Sequence, residues 1–420
     1  MQTNIAEFIN STAQGKEADT ILRKCVHCGF CLATCPTYNL RGNELDSPRG
    51  RIYLIKQVLE GQPASAITQS HLDACLNCRA CETTCPANVD YHSLLDIGVQ
   101  VVEKQVPRSF AQKALRHSIL SVLPYPDRFT PLLRAAQYIR PLLPKVLKAK
   151  IPLRPLKINW PIRVHKKRML VLEGCVQPGL APDINAATAR VLNQFDISLI
   201  IADKAGCCGA ISYHLNKQED GRDFMRNNID AWWPIIENGC EAIVMTASGC
   251  GSTVKEYGKL LKNDPLYANK AAHVSALTKD LVEVLTDLPL EKLTLKATPS
   301  VAFQCPCSLQ HAQGLSGSVE AVLTRLGFPI KPVSDGHICC GSAGTYSIFQ
   351  PKLATQLGIE KIEALDKANP DIIGSANIGC ITHLSNKTKI PIQHWIQIID
   401  TAMKNTKKNS SLSHPKTHHS

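Results

Sequence analysis

Eight cysteines in two matching runs carry the densest chemistry of this chain: CVHCGFCLATCP, from Cys25 to Pro36, and CLNCRACETTCP, from Cys75 to Pro86. In each run three cysteines fall at i, i+3 and i+6, so one tight turn can aim three sulfurs at three corners of a cubane. A fourth cysteine stands before a proline that turns the chain away. A pair of structural zinc sites is the bland alternative, but zinc is satisfied by four ligands and usually draws on CxxC pairs and histidines. Two copies of the whole cassette predict two four-iron, four-sulfur (4Fe-4S) clusters.

In bacterial two-cluster ferredoxins the last cysteine of each such run ligates the other run's cluster. That pattern assigns Cys25, Cys28, Cys31 and Cys85 to one cluster, and Cys35, Cys75, Cys78 and Cys81 to the other. Between the runs, RIYLIKQVLEG places Ile52, Leu54, Ile55, Val58 and Leu59 at helical spacing and stops at Gly61. HSLLDIGVQVVEKQVP continues as a second helix and ends before Pro107. The clusters are therefore expected in a helical domain over residues 1–106. His27, Asn77 and Arg79, inside the ligand loops, read as surface turn residues.

The other cysteines repeat on a longer period. Cys175 and Cys207 have 31 residues between them, as do Cys307 and Cys339, and both intervals lead into CCG, at Cys207, Cys208, Gly209 and at Cys339, Cys340, Gly341. Cys250 and Cys380 close the two units, in TASGC and ANIGC. Strand-like runs such as RMLVLEGC and SVAFQCPC alternate with helical ones such as INAATARVLNQF and VEAVLTRLGF, which predicts parallel sheets with helical crossovers. Open α/β sheets bind ligands at the carboxyl ends of their strands. Each unit would gather four thiols there as a cofactor or redox site: Cys175, Cys207, Cys208 and Cys250, then Cys307, Cys339, Cys340 and Cys380. Gly209 and Gly341 would let backbone approach a cofactor closely, and Cys240, without a counterpart, reads as a plain buried thiol. HVSALTKDLVEVL and HWIQIIDTAMK read as helices closing the units.

The expected architecture is α+β and multidomain: the helical two-cluster ferredoxin domain at 1–106, a basic Pro-rich helical linker at 107–167, α/β cysteine-rich (CCG) units at 168–290 and 291–403, and a disordered tail at 404–420. The net charge of +12 is concentrated in the linker, with twelve Lys and Arg from Arg128 to Arg168 and no acid between Asp127 and Glu173. Six prolines and few aromatics between Arg128 and Arg168 argue against nucleic acid and for a solvated linker or a patch facing acidic lipid or an acidic subunit. Clustered cysteines favour ligation over disulfides, hence a reducing compartment. The N-terminus lacks the basic flank and apolar core of a secretory signal, and no apolar run approaches the roughly 18 residues of a membrane span.

Taken with LDSPRGRIYLIKQVLEG, NNIDAWWP, TASGCG, FQCPCSLQHAQ and CCGSAGTYS, these motifs resemble the iron–sulfur subunits of bacterial glycolate oxidase over residues 1 to about 403. The ferredoxin and CCG plan by itself is shared with iron–sulfur subunits of anaerobic glycerol-3-phosphate dehydrogenase, lactate-utilisation proteins and heterodisulfide reductase. From that wider group a glycerol-3-phosphate or lactate dehydrogenase subunit, or a thiol/disulfide enzyme working at the CCG units, is the alternative. The resemblance implies an FAD-binding partner subunit that oxidises glycolate to glyoxylate, a second flavoprotein-like subunit, and delivery of electrons to a quinone. It implies a cytoplasmic protein, peripheral on the inner membrane.

No GxGxxG follows a strand and no GxxxxGK is present, so the hydride step falls to the partner, and no catalytic residue is expected here. One departure concerns the CCG units. Heterodisulfide reductase ends its unit in CxxC, whereas this chain has Ala247 and Asn377 at the first of those positions. Each unit then offers four of five ligands, with Cys305 as an extra thiol in the second. A further iron–sulfur cluster and a cluster-free redox site both stay open on the sequence.

Overall fold

The computed structural model describes residues 1–144, 148, 151–155, 158–295 and 297–410, the last seven by backbone alone. The cysteine runs are loops strung between four helices: α1 (Ala13–Lys24), α2 (Pro48–Leu59), α3 (Ala66–Asp73) and α4 (Tyr91–Gln105). Their starts follow from the sequence. Thr12, Ser47, Ser65 and Asp90 accept hydrogen bonds from the backbone N–H groups of Gly15, Gly50, Thr68 and Ser93, donors that a helix leaves orphaned. Ile21, Leu22, Ile52, Ile55, Leu59, Leu94 and Val102 bury the facing sides in one core. At Gly98 the packing of α4 on α2 is so close that a Cβ would lie 2.6 Å from Ile55 Cγ1.

The basic segment forms two helices, α5 (Phe110–Val122) and α6 (Pro126–Ile139), longer than its prolines suggest. A capping box between Ser109 and Gln112 starts α5. Pro126 opens α6 at a position where its missing N–H costs nothing, and Pro131 is carried inside.

The first cysteine-rich unit contains β1 (Lys167–Val171), α7 (Asp183–Leu192), β2 (Ile197–Ile201), α8 (Gln218–Glu237), β3 (Ile243–Met245), α9 (Ser248–Lys255), α10 (Ala268–Leu277), β4 (Thr278–Asp280) and α11 (Leu281–Thr286). The second contains β5 (Val301–Gln304), α12 (Ser318–Arg325), β6 (Ile330–Lys331), α13 (Pro351–Lys367), β7 (Ile372–Ser375), α14 (Ile378–Leu384), β8 (Ile392–His394) and α15 (Trp395–Ser410). The sheets are parallel throughout and share one order, β2-β1-β3-β4 and β6-β5-β7-β8. The repeat in sequence is thus a repeat in topology.

HVSALTKDLVEVL is not one helix. It breaks at Thr278, pairs three residues with β3 as β4, and restarts at a capping box of Asp280 and Glu283. A strand of three residues is too short for a period of two to register. α15 runs on to Ser410, so the expected tail begins later than residue 404, and its part beyond 410 lies outside the described residues.

One apolar core threads both sheets, joining Val171, Leu192 and Leu285 to Val301, Phe303, Leu323, Trp395 and Ile399. Polar ties cross the same boundary: Ser248 N–H donates to Ala376 O at 3.0 Å, His394 Nε2 to Thr246 O at 2.8 Å, and Arg190 pairs with Asp400 at 2.8 Å. Burial lowers the His394 pKa to about 4, so the imidazole serves as a neutral donor.

Candidate metal centre

The first loop leaves α1 at Cys25 and turns through His27 and Gly29, at φ 56° and 87°. It encloses a cavity of about 460 Å³, open mouth included, lined by Cys25, Cys28, Cys31 and, from the second loop, Cys81 and Cys85. A second cavity of about 320 Å³ is lined by Cys75, Cys78 and Cys81 and, from the first loop, Cys35. Each cavity therefore meets thiols from both runs. Neither lining includes a carboxylate, while Arg49 edges the first and Arg51 and Arg79 the second, a setting that suits an anionic, thiolate-bound group.

Among the described residues no three His, Cys, Asp or Glu side chains converge as a single ion requires; the thiols instead surround a wider space. His27 lines the first cavity, and its buried Nε2 has no partner among the described residues. At the second, the Asn77 N–H and the Tyr91 hydroxyl donate to Cys75 Sγ at 3.4 and 3.6 Å. Burial pushes the Cys31 thiol up to about 11, so its proton must be displaced by a metal rather than lost to solvent. Size, donor set and polarity fit a 4Fe-4S cluster in each cavity.

The second loop is seated between the two cysteine-rich units. Asn77 Nδ2 lies 3.4 Å from His214 Nδ1 and Arg79 pairs with Glu256 at 2.6 Å in the first unit. Thr83 Oγ1 lies 3.0 Å from His311 Nδ1, and the Tyr346 hydroxyl donates to Ala74 O at 3.1 Å, in the second. Asn77 and Arg79 are therefore docking residues, held at φ 54° and 61°, and the surface-turn reading of them is corrected. Cys78 packs with Cys307 and Cys339 in one apolar cluster that includes Leu76 and Tyr346.

The four thiols of each cysteine-rich unit do come together, and in the same order. In the second unit Cys307 Sγ is 3.9 Å from Cys339, and Cys340 Sγ is 3.1 Å from Cys380. In the first, Cys175 contacts Cys207, Cys207 contacts Cys208, and Cys208 contacts Cys250. Hydrogen bonds from Cys207 and then Cys250 hold the Cys208 thiol well below its ordinary value. Cys250 and Cys380 sit in the first turns of α9 and α14, just past the strands. Cys305 takes no part in the chain of sulfurs: it is buried in the core shared by the units, its Sγ 4.0 Å from Pro306 O. Cys240 is a plain buried thiol, its Sγ 3.1 Å from Ala242 O.

The CCG glycines answer to packing. Gly209 and Gly341 have φ of 91° and 85°, and a Cβ on them would lie 2.5 Å from Gly221 O of α8 and 2.6 Å from Ala354 O of α13. Helix backbone, rather than a cofactor, makes the close approach. Gly341→Ala is expected to cost about 2 kcal/mol or more, read as a lower thermal midpoint.

Beside the docked loop lies a polar network. His92 Nδ1 bonds Asn77 Oδ1 at 2.7 Å, and His92 Nε2 lies 3.7 Å from Asp96 and 3.8 Å from Glu256. Burial pushes the Asp96 carboxyl up to about 8. Its native pKa is raised, so its contribution to stability is full below the unfolded pKa near 4 and is lost, by up to about 1.4 kcal/mol per pH unit, as pH rises toward 8. Asp96→Asn is expected to raise the thermal midpoint over the parent at about pH 8 and to bring no gain at about pH 4.

A 4Fe-4S dicluster domain matches residues 21–89, and a cysteine-rich domain, CCG, matches residues 169–255 and 301–385. The glycolate oxidase iron–sulfur subunit of Escherichia coli K12 is 56% identical over 405 residues, 96% of this chain and 99% of that one. A probable glycolate oxidase iron–sulfur subunit of Bacillus subtilis is 29% identical, covering 86% of this chain and 88% of that one. Lactate utilization protein A of an Exiguobacterium species is 20% identical over 55% of this chain and 96% of its own length. The crystal structure of a hypothetical protein from Helicobacter pylori shares the fold with a TM-score of 0.52 at 10% identity, over 97% of this chain and 76% of that one. With a dicluster domain followed by two cysteine-rich domains, and more than half its residues identical to the Escherichia coli subunit, the chain belongs to the family of glycolate oxidase iron–sulfur subunits.

Proposed function

We propose that this chain is the electron-carrying subunit of a glycolate dehydrogenase, in which FAD on a partner subunit oxidises glycolate to glyoxylate and a quinone finally accepts the electrons. A bound 4Fe-4S cluster supplies storage for one electron at a time, at a potential set by its surroundings. Cys25, Cys28, Cys31 and Cys85 would hold one cluster, and Cys35, Cys75, Cys78 and Cys81 the other. The observation that carries this reading is the crossing of the loops, which brings Cys85 to the first cavity and Cys35 to the second.

The chain's own residues favour a direction. Cys28 is exposed, with Val26 and Phe30 exposed beside it at the mouth of the first cavity, which supports entry of electrons there from the FAD-bearing partner. A second flavoprotein-like subunit would complete the complex. Arg51 and Arg79 line the second cavity, and positive charge at that depth favours the reduced state. The packing of Cys78 against Cys307 and Cys339 supports onward passage to the second cysteine-rich unit, whose four sulfurs would form a further redox site.

Iron and acid-labile sulfide counted after anaerobic purification test the ligation. About eight of each per chain are expected for two clusters, and any excess would lie in the cysteine-rich units. Zinc without sulfide would contradict the reading.

A further inference from the structure

Among the described residues, eleven of the nineteen large apolar side chains left exposed fall between residues 110 and 164. Three of them, Leu132, Tyr138 and Ile139, lie on α6. That helix lays Phe129, Thr130 and Leu133 against Gly179, and none of its residues is buried. Its other side shows Leu132, Tyr138 and Ile139 to solvent, and Leu142 continues the face, with Tyr138 and Leu142 each 87% exposed. Gln137 donates to Leu153 O at 3.4 Å and Arg140 to Ile151 O at 2.8 Å, which folds the following chain back and adds Leu153, 72% exposed, beside the helix.

Apart from Asp127 in the first turn of α6, charge on this segment is of one sign. Arg128 to Arg168 holds twelve Lys and Arg, with no acid between Asp127 and Glu173, and the 35 other basic residues equal the 35 acids of the chain. An apolar face on a segment whose charged side chains are all basic from Arg128 onward is complementary, in both respects, to the boundary between headgroups and acyl chains of an anionic bilayer. No helix among the described residues is long and apolar enough to cross a membrane, so the geometry is that of a helix lying on a surface.

We infer that α6 and the chain to Leu153 rest on an anionic lipid bilayer, with Leu132, Tyr138, Ile139 and Leu142 entering its boundary layer and Arg134 and Arg154 meeting lipid phosphates. This deepens the quinone reading, on which it rests, because it brings the electron carrier to the membrane that holds the acceptor.

The test is flotation of the full cluster-loaded chain with vesicles of phosphatidylcholine, with and without phosphatidylglycerol. Partition is expected to be at least about tenfold stronger onto the anionic vesicles, weakened but not abolished by salt. A Leu132→Ser, Tyr138→Ser, Leu142→Ser triple variant is expected to lose about tenfold of it, with circular dichroism and cluster absorbance unchanged. Arg134→Glu with Arg154→Glu should remove the preference for anionic lipid. Absence of partition, equal partition onto neutral vesicles, or full partition by both variants overturns the inference. So does a triple variant that keeps vesicle binding and instead loses its flavoprotein partner. Glycolate-driven reduction, read in solution without vesicles, tests the functional reading separately, and its failure would leave the vesicle result standing.

Discussion

Cys85→Ser is expected to abolish the same paramagnetic signal as Cys28→Ser, and Cys35→Ser the same one as Cys78→Ser, with iron falling from about eight to about four per chain in each case. The pairing follows from the crossed loops: Cys85 belongs by sequence to the second run but lines the first cavity, and Cys35 the reverse. Loss of the fourth thiolate removes a corner ligand that no carboxylate of either lining can replace, and the second lining holds no histidine either. Electron paramagnetic resonance of the dithionite-reduced variants reads the outcome. If the Cys85→Ser signal matches that of Cys78→Ser, the clusters are uncrossed and the assignment is wrong.

The second large effect is at Arg51. Its side chain is 1% exposed and lines the second cavity. Nε donates to His71 O at 2.7 Å, Nη1 to Thr37 Oγ1 at 3.1 Å, and Nη2 lies 3.5 Å from Asp46 Oδ1. Asp46 is equally buried and is shared with His71 at 2.9 Å and Arg41 at 3.0 Å. Burial alone would raise the Asp46 carboxyl, but the bonds from His71 and Arg41 outweigh it and hold the group below its ordinary value.

Arg51→Met takes one charge from this set and leaves Asp46 short of a partner in a dry site, a loss of about 3–5 kcal/mol. Denaturant unfolding checks it. Removing the positive charge beside the second cavity should also lower that cluster's midpoint potential, by an amount on the order of tens of millivolts. Arg51→Lys should restore much of the potential but little of the stability, because an ammonium cannot reproduce three bonds in a planar fork. Unchanged stability and potential in both variants would show that Arg51 is only filler.

The chemistry was legible where it depended on local spacing. A turn that presents sulfurs at i, i+3 and i+6 leaves its mark within seven residues, and two copies of CCG with equal intervals leave theirs by counting. What stayed hidden depends on distant partners. Asn77 and Arg79 look like solvent-facing turn residues until His214 and Glu256, well over a hundred positions away, close on them. Arg51 reads as one more basic residue in PRGR, and only the fold shows it sealed behind the second cavity. The strand Thr278–Asp280 is too short to alternate visibly, and Cys305 sits two residues from Cys307 yet turns into the shared core. Helix α5 forms from its Ser109–Gln112 capping box, and α6 opens at Pro126 because proline is tolerated at a first helical position, with Pro131 carried inside.

The most direct test of the whole account is to purify this chain anaerobically with its native partners, add glycolate, and follow cluster absorbance and the paramagnetic signal. The account predicts that glycolate bleaches the absorbance and raises the reduced-cluster signal, while D-lactate and glycerol 3-phosphate do so weakly or not at all. Clusters that stay oxidised with glycolate although a flavoprotein is present, or that respond only to glycerol 3-phosphate, would contradict it.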